Sequence, residues 1–162
     1  MSILVRSITP DDARSALEVH HAAVLITAAK DYAPEIIEQW APMPVSAGAI
    51  SRFNANAENE VRFVAEVDGE VVGFAAIVPS NEELRACYVS PKAAGKGVGK
   101  ALVVELERAA KQEGLAILRL NSSLTAHPFY EAMGYQTESR GEHVLGSGQR
   151  MSCIHMTKKL TR

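Results

Sequence analysis

Glycines alternate at positions 95, 97 and 99 in the stretch Ala94-Gly95-Lys96-Gly97-Val98-Gly99-Lys100. The stretch lies between an apolar run ending at Val89 and an amphipathic run starting at Val98. A glycine turn that opens a helix aims several backbone N–H groups at one point, at the positive end of the helix dipole. Such a point binds anions, phosphate above all. Glycine suits it because a Cβ would block close approach of a ligand or demand a strained dihedral. Two familiar phosphate loops do not fit. The P-loop spacing requires Gly at 94 and Ser or Thr at 101, and both are Ala. The GxGxxG spacing requires Gly at 100 or at 102, which are Lys and Leu. The bare glycines are equally consistent with a flexible turn. Lys92, Lys96 and Lys100 surround them, as compensating charge or as a solvated face.

Other reactive side chains form no compact cluster in the sequence. His20 and His21 are adjacent, so they point to different helix faces and make a poor metal pair. There is no HExxH, CxxC or carboxylate cluster, and no metal is predicted. Cys87 and Cys153 are far apart and suit reduced thiols of a cytoplasmic protein. Trp40 and Tyr32 either cap a pocket or fill the core. His127 is adjacent to a helix start, and His143 and His155 fall on the last two strand patterns.

The elements that must position these groups follow from periodicity. Ile3 to Ile8 is a short edge strand. Thr9-Pro10-Asp11-Asp12 carries an N-cap, a first-turn proline and a capping-box acid. Apolar spacing then predicts a helix to about Ala29, a short helix from Pro34 stopped by Pro42 and Pro44, and a third from Ala47 to Asn54. From Val61 the period becomes two. Val61, Phe63, Ala65 and Val67 alternate with Arg62, Val64 and Glu66, and Asp68-Gly69 signals a hairpin to Val71–Val78. Glu83 to Val89 is the next strand. Val98, Leu102, Leu106 and Ala109 form the stripe of a long helix closed by Gly114. Ala116 to Leu120 is a strand and Pro128 to Met133 a short helix. Tyr135 to Val144 and Gln149 to Met156 are paired strands. The expected fold is mixed α/β, one domain over residues 1–162, with a largely antiparallel sheet flanked by helices.

Bulk properties exclude several classes. The chain has 162 residues, 47% hydrophobic and 22% charged, with a formal net charge of −2. That is a globular domain with no overall basic field for nucleic acid. The apolar run from Ala22 to Ala29 is far short of the ~20 residues that span a bilayer. No secretory leader is expected, and the setting is read as cytoplasmic.

Two segments together carry a family resemblance. Tyr88-Val89-Ser90-Pro91 followed by the loop Ala94–Gly99 resembles the acyl-CoA-binding motif of the GCN5-related N-acetyltransferase (GNAT) superfamily. Ala94 replaces the Arg or Gln usual at its first position. Ala126-His127-Pro128-Phe129-Tyr130-Glu131-Ala132-Met133-Gly134-Tyr135 resembles a second motif in the expected order and spacing. The resemblance covers roughly Val61 to Leu160. It implies acetyl-CoA as co-substrate in a slot between two splayed parallel strands ending near Val89 and Asn121. Cys87, Tyr88 and Val89 would hold the pantetheine arm through their backbone. Ala94, Gly95, Lys96, Gly97, Val98, Gly99 and Lys100 would cradle the pyrophosphate, and Asn121 would close the slot. It further implies direct attack by a primary amine of a small molecule, with Tyr130 as acid for the departing thiolate and Glu83 as base. A phenol near pKa ~10 can serve a thiol near ~8.5 without large tuning. A non-catalytic acyl-CoA sensor on the same fold is the alternative. An open sheet edge leaves room for a homodimer.

Overall fold

The computed structural model describes residues 2–40, 45–145 and 147–161. Among the described residues, seven strands form one sheet in the order β1-β2-β3-β4-β5-β7-β6. They are β1 (Ile3–Ser7), β2 (Val61–Val67), β3 (Glu70–Val78), β4 (Glu83–Val89), β5 (Ile117–Ser122), β6 (Gln136–Val144) and β7 (Arg150–Lys159). All neighbours are antiparallel except β4 and β5. The helices are α1 (Ala13–Ala22), α2 (Pro34–Trp40), α3 (Ala47–Ala55), α4 (Val98–Gln112) and α5 (His127–Ala132). The architecture is the expected mixed α/β sheet.

Local chemistry explains the entry. Arg6 in β1 donates to both carboxylate oxygens of Asp12, at 2.8 and 2.9 Å, and to Glu66 at 2.9 Å. The Thr9 backbone N–H donates to Asp12 at 2.8 Å. The hydrogen bond from Arg6 holds the Asp12 carboxyl down at about 2 despite its burial. This fixes the turn from β1 into α1. The helix expected to reach Ala29 is interrupted: α1 ends at Ala22 and Ala23–Ala28 is a π-helix. The wider turn buries Val24 against Ile37 and leaves Leu25 and Ile26 exposed. The stop expected at Pro42 and Pro44 lies outside the described residues.

The hairpin forms at Asp68 (φ 53°) and Gly69 (φ 78°), both left-handed, as a two-residue turn requires. The period-two pattern of β2 does not separate a buried face from an exposed one. Phe63, Val64 and Ala65 are all buried, because α4 covers one face of the sheet centre and α1 the other. A Cβ on Gly73 of β3 would sit 2.8 Å from Leu102 Cδ1, so α4 lies directly on that strand. Val98, Leu102, Val103 and Leu106 are the buried stripe. Each such side chain contributes about 1.5–3 kcal/mol by leaving water. The long α4 is thereby locked, and its N-terminus fixed beside the end of β4.

Candidate active site

The site begins with a break in the sheet. Ala76 pairs with Ala86 and Ile77 with Leu84, so Arg85 is an extra residue that bulges β4. On its other side β4 meets β5 only at Glu83 and Arg119, where Arg119 N–H donates to the Glu82 carbonyl at 2.8 Å. Beyond that point the two parallel strands splay. Among the described residues, the β5-facing backbone of Cys87, Tyr88 and Val89 has no strand partner.

A cavity of about 540 Å³ fills the splay. Cys87, Tyr88 and Val89 line one wall, and Ser123, Thr125, Ala126 and Phe129 the other. Ala94, Gly95 and Gly97 to Lys100 close one end, and Ala23, Val24 and Trp40 contribute from the entry segment. Gly95 (φ 75°) and Gly97 (φ 87°) are left-handed, and no heavy atom lies within 4 Å of a Cβ built on either. The glycines thus leave an open cradle at the first turn of a 15-residue helix. Lys100 lines the cavity, whereas exposed Lys92 is paired with Glu70. Lys96 is exposed in the loop and is not part of the lining.

A second cavity, of about 430 Å³, adjoins the first. Trp40, Tyr88 and Ser123 line both. The remaining walls are Glu83, Leu84 and Arg85 of β4, Asn121 of β5, His143 of β6 and Met151 of β7. Trp40 and Tyr88 pack on the same cluster, and His20 stacks on the Tyr88 ring at 4.3 Å between centroids. This aromatic group stands at the junction of the two spaces. Arg85 donates to both oxygens of Glu83, at 2.8 and 3.0 Å, and is itself held by Glu58 at 2.6 Å. Its hydrogen bond lowers the Glu83 pKa, so the carboxylate is ionised.

The family pattern of the acetyltransferase (GNAT) domain matches residues 28–160. The chain belongs to the GNAT family. A spermidine N(1)-acetyltransferase of Thermoplasma acidophilum is 26% identical over 146 residues, 85% of this chain and 91% of that protein. A GCN5-related N-acetyltransferase from Rhodopseudomonas palustris superposes with a TM-score of 0.88 at 28% identity, covering 99% of this chain and 97% of the other. The PaiA N-acetyltransferase of T. acidophilum, crystallised with coenzyme A, superposes at 0.78 with 26% identity, covering 98% and 99%. The protein is an acetyl-CoA-dependent acyltransferase.

Within this GNAT fold most of the residues singled out in the sequence are divided between the two cavities, while Tyr130 and Lys96 line neither. Cys87, Tyr88, Val89, Ala94, Gly95, Gly97, Val98, Gly99 and Lys100 share the first cavity. Glu83 and Asn121 lie on the second, with Asn121 Oδ1 2.5 Å from His155 Nδ1. Tyr130 is buried behind the first cavity among Phe129, Tyr135 and the end of β4, and burial raises its pKa well above 10. Burial also pushes the Cys87 thiol up to about 12, which leaves it protonated and unreactive. Of the two adjacent histidines, His20 faces the interior, and burial lowers its pKa to about 4. His127 bonds Thr137 at 2.9 Å, a packing role. Tyr32 is not part of either lining. Its hydroxyl accepts from Leu124 N–H and donates to the Ser152 carbonyl, both at 2.8 Å. Sequence reasoning missed Arg85 and did not connect His143 with Glu83. The extra residue in a bulge and a long-range meeting of β4 with β6 leave no periodic signal.

Among the described residues, no helix is long and apolar enough to cross a membrane.

Proposed function

We propose that the enzyme transfers the acetyl group of acetyl-CoA to a primary amine of a small molecule by direct attack. The observation that carries this reading is the meeting of two cavities at Tyr88, one floored by a glycine cradle and the other holding an ionised carboxylate. The first suits acetyl-CoA: its pyrophosphate on the amides from Gly95 to Lys100, its pantetheine arm along the free edge of Cys87–Val89. The second suits an ammonium group, with Glu83 as counter-charge and Trp40 and Tyr88 as aromatic walls. The spermidine acetyltransferase relative, whose printed substrate is an amine, supports the same class.

The roles follow from the chemistry. Holding both reactants at one junction supplies much of the rate. A backbone N–H near Tyr88 or Val89 stabilises the carbonyl oxygen as it gains charge. Tyr130 gives a proton to the departing thiolate. Glu83, held ionised by Arg85, is a weak proton acceptor; it binds and orients the amine. The protonated Cys87 supports direct attack over a thiol-bound intermediate. Both cysteines are free, which fits a cytoplasmic setting. The open edges of β1 and β6 are where a homodimer would form. A thiol-release screen of amines, amino acids, polyamines and aminoglycosides with acetyl-CoA tests the function. Turnover with at least one amine is expected, and none across the panel would overturn it.

A further inference from the structure

We propose that His143 accepts the proton from the acceptor ammonium and passes it to solvent. This rests on the proposed transfer to an amine in the second cavity. The argument starts from what that cavity lacks. An alkylammonium near pKa ~10 must lose a proton before its nitrogen can attack. Glu83 attracts the ammonium, but Arg85 occupies both of its oxygens and keeps it ionised. Asn121 does not titrate in this range, and Tyr88 is a phenol whose pKa burial raises further. His143 is the imidazole on the lining, it is exposed, and it shares that lining with Glu83. A histidine is the side chain that exchanges protons between pH 5 and 8, and a rim position lets it deliver them to water.

The groups around His143 do not duplicate it. Glu83 and Arg85 face it from β4 as an ion pair. On β7 its register partner is Met151, with Arg150 and Cys153 nearby, and Arg150 is paired with Glu142 of β6. His155 is turned onto Asn121.

The step balances. The ammonium N–H breaks, the proton moves to the imidazole nitrogen of His143, and the freed lone pair forms the C–N bond as the C–S bond breaks. The second nitrogen proton replaces the one that Tyr130 gives to sulfur. One proton leaves the cavity per turnover, through His143.

The test compares wild type, His143→Gln and His143→Ala with acetyl-CoA and spermidine, or whichever amine of the panel turns over fastest. Wild-type kcat/KM should rise through the neutral range and level off. His143→Gln should fall by about a hundredfold at pH 7, the low end for general acid–base catalysis. Its profile should keep climbing with pH and approach wild type as free amine forms unaided. Added imidazole should restore part of the activity of His143→Ala, while KM for acetyl-CoA stays unchanged. Variants that retain the wild-type pH profile, or lose activity with no rescue and no change of profile, overturn the relay and leave the acetyl transfer intact. A wild type inactive on the whole panel overturns the acetyl-transfer reading, and the relay with it.

Discussion

In the proposed transfer, Tyr130 would give up a proton from a place that disfavours its anion. Burial raises its pKa well above the ordinary value, so the phenol stays protonated at neutral pH, as a proton donor must. The departing thiolate forms in the same dry surroundings, where its own demand for a proton is raised by the same desolvation. Tyr130→Phe keeps the packing against Phe129 and Tyr135 and removes the proton. Turnover should fall roughly 10²-fold or more, with acetyl-CoA binding nearly unchanged. An acyl donor with a more acidic thiol should shrink the loss, and a uniform loss across donors would remove Tyr130 from the chemistry. His20 makes a different kind of claim. Its Nε2 is buried with no hydrogen-bond partner among the described residues, and its pKa drops to about 4. An unfolded histidine titrates near ~6.5, so between the two values the unfolded chain binds more protons. Stability from this group is complete above about pH 6.5 and is lost as pH falls toward 4, by roughly 3 kcal/mol. His20→Phe preserves stacking on Tyr88. Thermal melts from pH 4 to 7 should show a flatter pH dependence for the variant; parallel curves would assign the acid sensitivity elsewhere.

At the scale of elements, the decisive one is the junction of β4, the glycine loop and α4. Gly97 is the N-cap of α4 at φ 87°, with open space where a Cβ would be. The Cβ of Gly97→Val therefore has room; the substitution strains the backbone and places two methyl groups in the cradle. The thermal gain from acetyl-CoA, ~2.7 kcal/mol at a hundred times Kd, should vanish, measured as the Tm difference with and without ligand. A variant that keeps the gain would move the pyrophosphate away from this loop. This junction was legible in the sequence because glycine spacing, a strand end and a helical stripe are all local signals. The β2–β3 hairpin was legible for the same reason, through Asp68-Gly69. The burial of Val64 beside Phe63 and Ala65 was not legible, because burial on both faces depends on what packs there. The π-turn at Ala23–Ala28 was missed because its pattern continues the helical one, and only the contact of Val24 with Ile37 shows why it departs.

Across the whole molecule, the sheet is two half-sheets, β1-β2-β3-β4 and β5-β7-β6, joined by the short pairing at Glu83 and Arg119. The first cavity lies in that seam, so a ligand in it touches both halves. The pairing of distant strands explains why the second cavity could not be assembled from sequence: Glu83, Asn121, His143 and Met151 come from four strands whose order is not the chain order. The entry segment spans the same seam. Its helix α1 packs on β3 and β4, while Tyr32 grips Leu124 and Ser152 of the other half and Asp31 accepts from Thr125 at 2.6 Å. Ser123, Thr125 and Ala126 of the gripped loop line the first cavity. Tyr32→Phe retains the ring against Trp40 and removes both hydrogen bonds, at a cost of about 1–3 kcal/mol. The Tm of the free enzyme should fall by a few degrees. The loop must then be ordered by acetyl-CoA itself, so Kd for acetyl-CoA should rise about tenfold, equivalent to ~1.4 kcal/mol. Hydrogen exchange at residues 123–126 should be faster in the free variant and return to wild-type protection when acetyl-CoA is bound. A lower Tm with unchanged Kd would make Tyr32 a brace between the half-sheets with no part in preparing the cavity.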